Sequence, residues 1–251
     1  MSFDIEVVSE GLHGRVMVWL AETASTMRDA ARLAAAGCAS GTVVGAEFQT
    51  AGQGRHGKSW HSEPGSGLYF SVVLRLPLPP EHLPVMTMTA GLAVAEAIVN
   101  VSGIAVDLRW PNDILIQDKK VCGILIQQQD NALICGVGLN VNHSSFPPDI
   151  APVATSLRLA AGREFSRESL LMEALNAIDR HADILLQQGT SAILKLFSQS
   201  SSYVYGRRVV VEQGEAPLRG TTDGLDANGF LYLRQDNGAR KLILAGGVRP
   251  E

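Results

Sequence analysis

Gly52-Gln53-Gly54-Arg55-His56-Gly57-Lys58-Ser59 fits the phosphate-loop pattern G-x-x-x-x-G-K-[ST], and its first six residues also fit G-x-G-x-x-G. Both patterns lay backbone N–H groups against phosphate at the start of a helix, so each needs a strand before it and a helix after it. Residues 42–48 are a credible strand. Downstream, however, Trp60-His61-Ser62-Glu63-Pro64-Gly65-Ser66-Gly67 puts proline and two glycines where a helix would have to propagate. The sequence therefore excludes both a P-loop and a Rossmann fold. Glycines interleaved with Arg55, His56 and Lys58 describe either a flexible cationic loop suited to polyphosphate or a solvated hairpin tip, and the loop alone leaves both open.

Composition narrows the setting. The chain has 251 residues, 46% hydrophobic and 18% charged, which suits one large globular domain with a small appendage. A net charge of −4 and a pI near 5.9 give no general electrostatic reason to hold nucleic acid or an anionic membrane, so any polyanion affinity must be local. Residues 1–20 lack a basic start, a continuous apolar core and a small-residue cleavage site, and do not read as a signal peptide. Cys38, Cys122 and Cys135 are odd in number and form no C-x-x-C, which predicts reduced, buried thiols in the cytoplasm. The six histidines show no metal-ligand spacing, and no structural metal is expected.

Residues 16–20 read as a strand and 26–36 as a helix, with Ser25 or Thr26 as cap and Gly37 as terminator. Residues 68–76 alternate as a strand, and 84–100 read as a buried Ala-rich helix closed by Ser102-Gly103. From 106 to 142, short apolar runs separated by polar turns predict an antiparallel meander with a hairpin tip at Asp118-Lys119. Leu170, Leu171, Ala174, Leu175, Ile178 and Leu185 form a helical stripe over 167–188 behind a cap at Ser166. After residue 202 the texture changes to short strands at 208–213, 218–222, 230–234 and 241–244, separated by Gly, Asp and Asn turns.

A second stretch breaks the tie over the glycine loop: Arg109-Trp110-Pro111-Asn112-Asp113-Ile114, followed by Lys119-Lys120-Val121-Cys122-Gly123-Ile124-Leu125. Here the chain resembles the biotin protein ligases. That family carries Ser-Thr-Asn, then a loop close to Gly-Arg-Gly-Arg-x-Gly-Arg-x-Trp, then Lys-Trp-Pro-Asn-Asp, Lys-(Leu/Val)-x-Gly-Ile-Leu and a Gly-x-Gly-Ile-Asn strand. They correspond in order to Ser25-Thr26-Met27, Gly52 through Trp60, Arg109 through Asp113, Lys120 through Leu125, and Gly136-Val137-Gly138-Leu139-Asn140. Met27 stands where the family has Asn, Gln53 and Lys58 where it has Arg, and Arg109 where it has Lys.

The resemblance implies an α+β fold. A mixed, mainly antiparallel sheet with packed helices, the class II synthetase-like biotin/lipoate ligase domain, would span residues 1–202. A C-terminal SH3-like β-barrel would span 203–251. It also implies ATP-dependent attachment of biotin to a lysine of a biotin carboxyl carrier protein through biotinyl-5'-AMP, with Mg2+ as cofactor. Lys120 would bridge the biotin carboxylate and the α-phosphate, although a lone hairpin lysine is by default a surface residue. Arg55 and Lys58 would engage phosphates, and Trp60 and Asn140 would border adenine. Asp113 would either orient magnesium or accept a hydrogen bond from the incoming lysine amine. Ser25, Thr26, Gln49, Gly52, Gln53, Gly123 and Gly136 would line the biotin site, and Arg249 would reach toward the nucleotide. A lipoate or octanoate ligase, a biotin-sensing DNA repressor and an inactive binding module are the rival readings. Fewer than twenty residues precede Trp19, too few for a helix-turn-helix, so no nucleic-acid partner is expected; the acidic balance and the lack of an apolar run long enough to span a bilayer predict no membrane partner. Whether the chain forms a homodimer stays open.

Overall fold

The computed structural model describes residues 3–12, 14–212 and 217–251. Its first sheet contains β1 (Met17–Leu20), β2 (Val43–Ala46), β3 (Gly67–Leu74), β4 (Asp107–Arg109), β5 (Asp113–Ile116), β6 (Lys119–Gln129) and β7 (Ala132–Asn140), in the order β1-β2-β3-β7-β6-β5-β4. Only β1 and β2 run parallel, joined through a crossover helix; every other neighbour pair is antiparallel. The helices are α1 (Ile5–Gly11), α2 (Thr26–Ala35), α3 (Leu83–Ser102), α4 (Leu157–Ala161), α5 (Arg167–Gln188) and α6 (Thr190–Gln199).

Period-two alternation sends neighbouring residues to opposite faces of this sheet. Val43, Val72, Cys135, Val137 and Ile124 join the main core with α3 and α5, whereas Val44, Val73 and Ile134 join a smaller cluster with Met27, Ala30 and Ala34 of α2. One face is thus fully roofed by α3 and α5, and the other only in part by the short α2. Helix α3 is apolar and long enough by composition to cross a membrane, but its burial between the sheet, α5 and α6 accounts for that composition. Gly103, at φ 73°, closes it as the spacing predicts.

The meander is present from β4 to β7. The β5–β6 turn sits on Gln117 and Asp118, both at positive φ, one residue earlier than read from the sequence. Helix α5 has the predicted bounds and cap, with Ser166 Oγ accepting from the Ser169 N–H. Helices α1, α4 and α6 and the last strand have no counterpart in the sequence reading. Gly189, at φ 79°, ends α5 and starts α6 at once, so a Gly-Thr-Ser turn signal conceals a helix start.

The second sheet comprises β8 (Tyr205–Glu212), β9 (Leu218–Leu225), β10 (Leu231–Arg234), β11 (Arg240–Ile243) and β12 (Gly247–Pro250), all antiparallel in the order β11-β10-β9-β8-β12. Gln213, expected to end its first strand, lies outside the described residues. Residue 202, the expected boundary, falls between α6 and β8, where Tyr203 and Val204 are fully buried. Val209, Val211, Leu231, Leu233 and Val248 belong to the same core cluster as the first sheet.

The two sheets are joined by a buried polar contact as well: Trp110 Nε1 donates to the Gly229 carbonyl at 2.8 Å, with the indole 2% exposed. Trp110→Phe keeps most of the apolar area but leaves that carbonyl without its donor. It is expected to lower the unfolding free energy by about 1–3 kcal/mol, seen as a lower urea midpoint at unchanged slope. A wild-type midpoint would show that the indole N–H does not join the sheets.

Candidate active site

Where α2 stops, β6 and β7 carry glycine on the uncovered face. Gly123 pairs directly with Gly138, and Gly136 with Leu125. Nothing but a hydrogen fits there. A Cβ at Gly138 would lie 2.4 Å from the Trp60 ring, one at Gly136 2.4 Å from Met27 Sδ, and one at Gly123 2.9 Å from Trp60 and 3.0 Å from Lys120 Nζ. The Trp60 indole therefore rests on a bare glycine floor. Its loop is held as a narrow hairpin: Gly54 N–H donates to the Lys58 carbonyl, Trp60 N–H donates to the Gly52 carbonyl, and Gln53 bridges to Ser59. At the tip is a single 3-10 turn, Arg55–Gly57, in which His56 has φ 55°. No α-helix follows, as the sequence required.

Charge is concentrated beside this floor. Lys120 Nζ lies 2.5 Å from one Asp113 carboxylate oxygen, and Arg109 Nη2 lies 2.7 Å from the other. Burial pushes the Asp113 carboxyl up, but Lys120 and Arg109 outweigh it and hold it below the usual carboxylate range. Lys120 also lies 5.3 Å from the Trp60 ring centroid. Its backbone is clamped on the open side, donating to the Val153 carbonyl and accepting from Thr155 N–H. Arg55 Nη1 donates to Asn112 Oδ1 at 3.0 Å and reaches the Gly246 carbonyl at 3.5 Å. Burial lowers its pKa from the ordinary value while Asp113 opposes that shift.

At the N-terminus of α2, Gln49 Oε1 accepts from both Thr26 N–H and Thr26 Oγ1, and Thr26 Oγ1 lies 2.9 Å from Ser71 Oγ. Ser25 occupies the cap position but makes no capping bond, and its Oγ is buried without a partner. Two cavities open here. A narrow slot of about 40 Å³ is lined by Thr26, Gln49, Gln53, Arg55, Gly123 and Gly136 among others, and a cleft of about 520 Å³ by Asn140, Phe146, Ile150 and others. Lys120, Trp60 and Gln49 line both.

Most of the sequence-selected residues converge. Gly52 sits behind the slot, where a Cβ would press on the Trp60 carbonyl at 2.9 Å. Asn140 lines the cleft while donating to the Thr155 carbonyl. Two placements differ from expectation. Lys58 lines neither cavity; it is exposed, 3.7 Å from Glu212. Arg249 turns to the same Glu212 at 3.2 Å, so it meets the loop's lysine partner rather than the floor. Asp113 has a cation within ion-pair distance of each oxygen, Lys120 at one and Arg109 at the other, an arrangement that orients Lys120. The sequence reading missed Asn112 as the Arg55 partner, Gly138 in the floor and Ser71 behind Thr26, although the Gly-x-Gly alternation of β7 carried the signal for Gly138. Cys122 and Cys135 are buried fillers; burial raises both thiols, Cys135 to about 12.

The biotin/lipoate A/B protein ligase family model matches residues 19–143, and the biotin protein ligase C terminal domain model matches 204–248. The biotin--[acetyl-CoA-carboxylase] ligase of Mycobacterium tuberculosis is 31% identical over 248 residues, covering 96% of this chain and 91% of the relative. The bifunctional ligase/repressor BirA of Bacillus subtilis is 33% identical over 239 residues, covering 92% of this chain and 73% of the relative. The chain belongs to the biotin protein ligase family. Its fold is similar to that of the Aquifex aeolicus biotin protein ligase solved in complex with biotin and ATP. The two superpose with a TM-score of 0.81 at 32% identity, over 93% of this chain and 97% of that one. The mixed first sheet and the antiparallel second sheet are thus those of biotin protein ligases, the second corresponding to the SH3-like module.

The floor generates a direct test within this ligase fold. Gly138→Ala places a methyl group inside the Trp60 ring, and overpacking of this kind costs about 1–3 kcal/mol unless the neighbour moves. The loop is the softer partner, so the variant should expose Trp60 and raise acrylamide quenching relative to a Trp60→Phe control. Unchanged quenching would show that the indole does not rest on Gly138.

Proposed function

We propose that this chain joins biotin to a specific lysine of a biotin carboxyl carrier protein, using ATP and passing through biotinyl-5'-AMP. The observation that carries the reading is the position of Lys120: one ammonium lines both the narrow slot and the wide cleft, and so stands where a carboxylate from the first would meet a triphosphate in the second. A biotin carboxylate oxygen attacks the α-phosphorus, and pyrophosphate leaves. The carrier amine then attacks the acyl carbon, forming the amide, and AMP leaves as the amine loses its proton. Neither half needs an enzyme nucleophile. Both need two anions brought together out of water, and a fixed cation between them lowers that repulsion most where the dielectric is low.

The bicyclic ring requires donors and acceptors that a fatty chain does not. Thr26 and Gln49 supply them in the slot lining, backed by Ser71 and the buried Ser25 hydroxyl behind it, which favours biotin over lipoate or octanoate. Magnesium would be held chiefly by the nucleotide's own phosphates, with Asp113 the candidate carboxylate ligand, and would supply neutralisation of the triphosphate. The carrier is the biotin domain of a carboxylase, in keeping with the acetyl-CoA carboxylase specificity named for the mycobacterial relative.

Incubation with biotin, ATP, magnesium and a carrier domain should add the mass of one biotinyl group to the carrier, and lipoate should not replace biotin. A carrier of unchanged mass would sink the reading. Lys120→Ala is expected to slow adenylate formation by roughly a hundredfold or more, the scale of losing one preorganised charge, with folding preserved. Pyrophosphate release at the wild-type rate would remove Lys120 from the reaction.

The loop divides its labour. Position 53 contributes a backbone bridge, whereas the Arg55 side chain ties the loop to Asn112 and the second sheet. Arg55→Gly should therefore leak free biotinyl-adenylate far more than Gln53→Gly. Equal leakage from both variants would contradict that division.

A further inference from the structure

Three residues with no part in the ligation chemistry meet beside the cleft. His61 and Glu63 follow the Trp60 loop, and His143 follows β7, eighty-odd positions later in the chain. One ligand-capable atom from each lies within 4.8 Å of the others. We propose that His61, Glu63 and His143 form a binding site for a borderline-soft divalent cation of the zinc, cobalt and nickel class. Two imidazole nitrogens and one carboxylate oxygen are the donor set such ions prefer, whereas magnesium favours an all-oxygen octahedron. A tetrahedral ion with bonds of about 2.0–2.1 Å holds its ligands roughly 3.3 Å apart. The cluster must therefore close by up to about 1.5 Å, through side-chain rotation at half-buried His61 and Glu63, both outside any strand or helix, with the Glu63 carboxylate exchanging its bond from Ser66 Oγ for the ion.

The surroundings are those of a built site. His143 is fully buried, and its Nδ1 has no hydrogen-bond partner, a costly condition that an ion nearby would relieve. Its other nitrogen lies 3.1 Å from the Tyr69 hydroxyl, which also accepts the Glu63 N–H at 2.9 Å, so one phenol orients the His143 ring and anchors the backbone of Glu63. Phe146 stacks on His143 with centroids 5.1 Å apart and meets His61 edge-on at 6.2 Å, closing one side with apolar surface. Three protein ligands leave one coordination position for water or a small molecule. His61 also lines the 520 Å³ cleft, and its neighbour Ser62 accepts the Gln49 N–H at 2.9 Å. A bound ion would thus pin the far end of the Trp60 loop to the sheet. The site stands independently of the ligase reading.

The test uses chelator-treated, tag-free protein in buffer with excess magnesium. Zinc titrated against a chromophoric chelator should bind at one ion per chain, and cobalt should give the intense visible absorption of a four-coordinate N/O site. His61→Ala and Glu63→Gln, both at half-exposed positions, should each weaken zinc at least about tenfold, the scale of disturbing a metal's ligand set, while retaining the wild-type thermal midpoint without metal. Absence of stoichiometric zinc, displacement of zinc by magnesium, or wild-type zinc affinity in either variant would each overturn the proposal.

Discussion

A sheet face that no helix covers must be finished by something else, and that constraint organises this protein. Helix α2 is only ten residues long and roofs the β1–β2–β3–β7 end of the sheet. Gly136 lets Met27 of α2 close onto the sheet, and beyond it Gly123 and Gly138 present no side chains, so a loop can lay an indole directly on the backbone. Any larger residue would either fill the slot or hold the loop away. The floor, the loop glycines and the α2 N-terminus are thus one solution to one packing problem, and the two cavities are the space that solution leaves.

Electrostatics complete the arrangement. A lysine at the meeting point of two cavities has to stay charged without being satisfied so fully that a ligand cannot compete for it. Asp113 meets that demand because Arg109 shares it: the carboxylate is neutralised from both sides, and Lys120 is oriented by half of a partner. The exchange of one basic residue for another at position 109 keeps this balance, which charge alone at that position explains.

Much of this was legible in the sequence, for identifiable reasons. Long periodic segments such as α3 and α5, with glycine or serine at their ends, declared their bounds through local chemistry. The failed helix after Gly57 was equally local, written in Pro64, Gly65 and Gly67. What escaped depended on distance along the chain. The β12 strand looks like a glycine turn until β8 pairs with it, α6 begins at a residue that signals a stop, and the His61–Glu63–His143 grouping has no sequence spacing because the fold creates it. Lys58 and Arg249 were placed by family resemblance, and both are drawn to Glu212, an acid no local pattern singles out.

The contact between Arg55 and the Gly246 carbonyl spans 191 residues. Its consequence is temporal. During synthesis the strands of the first sheet are complete with β7 and its roof with α5, whereas the glycine loop, already bonded to Asn112, gains its outer tether only when residue 246 has been made. Contacts so remote in sequence form late and slowly. A nascent chain would therefore hold a roofed sheet and a loop fastened on one side only for the time it takes to make the second sheet.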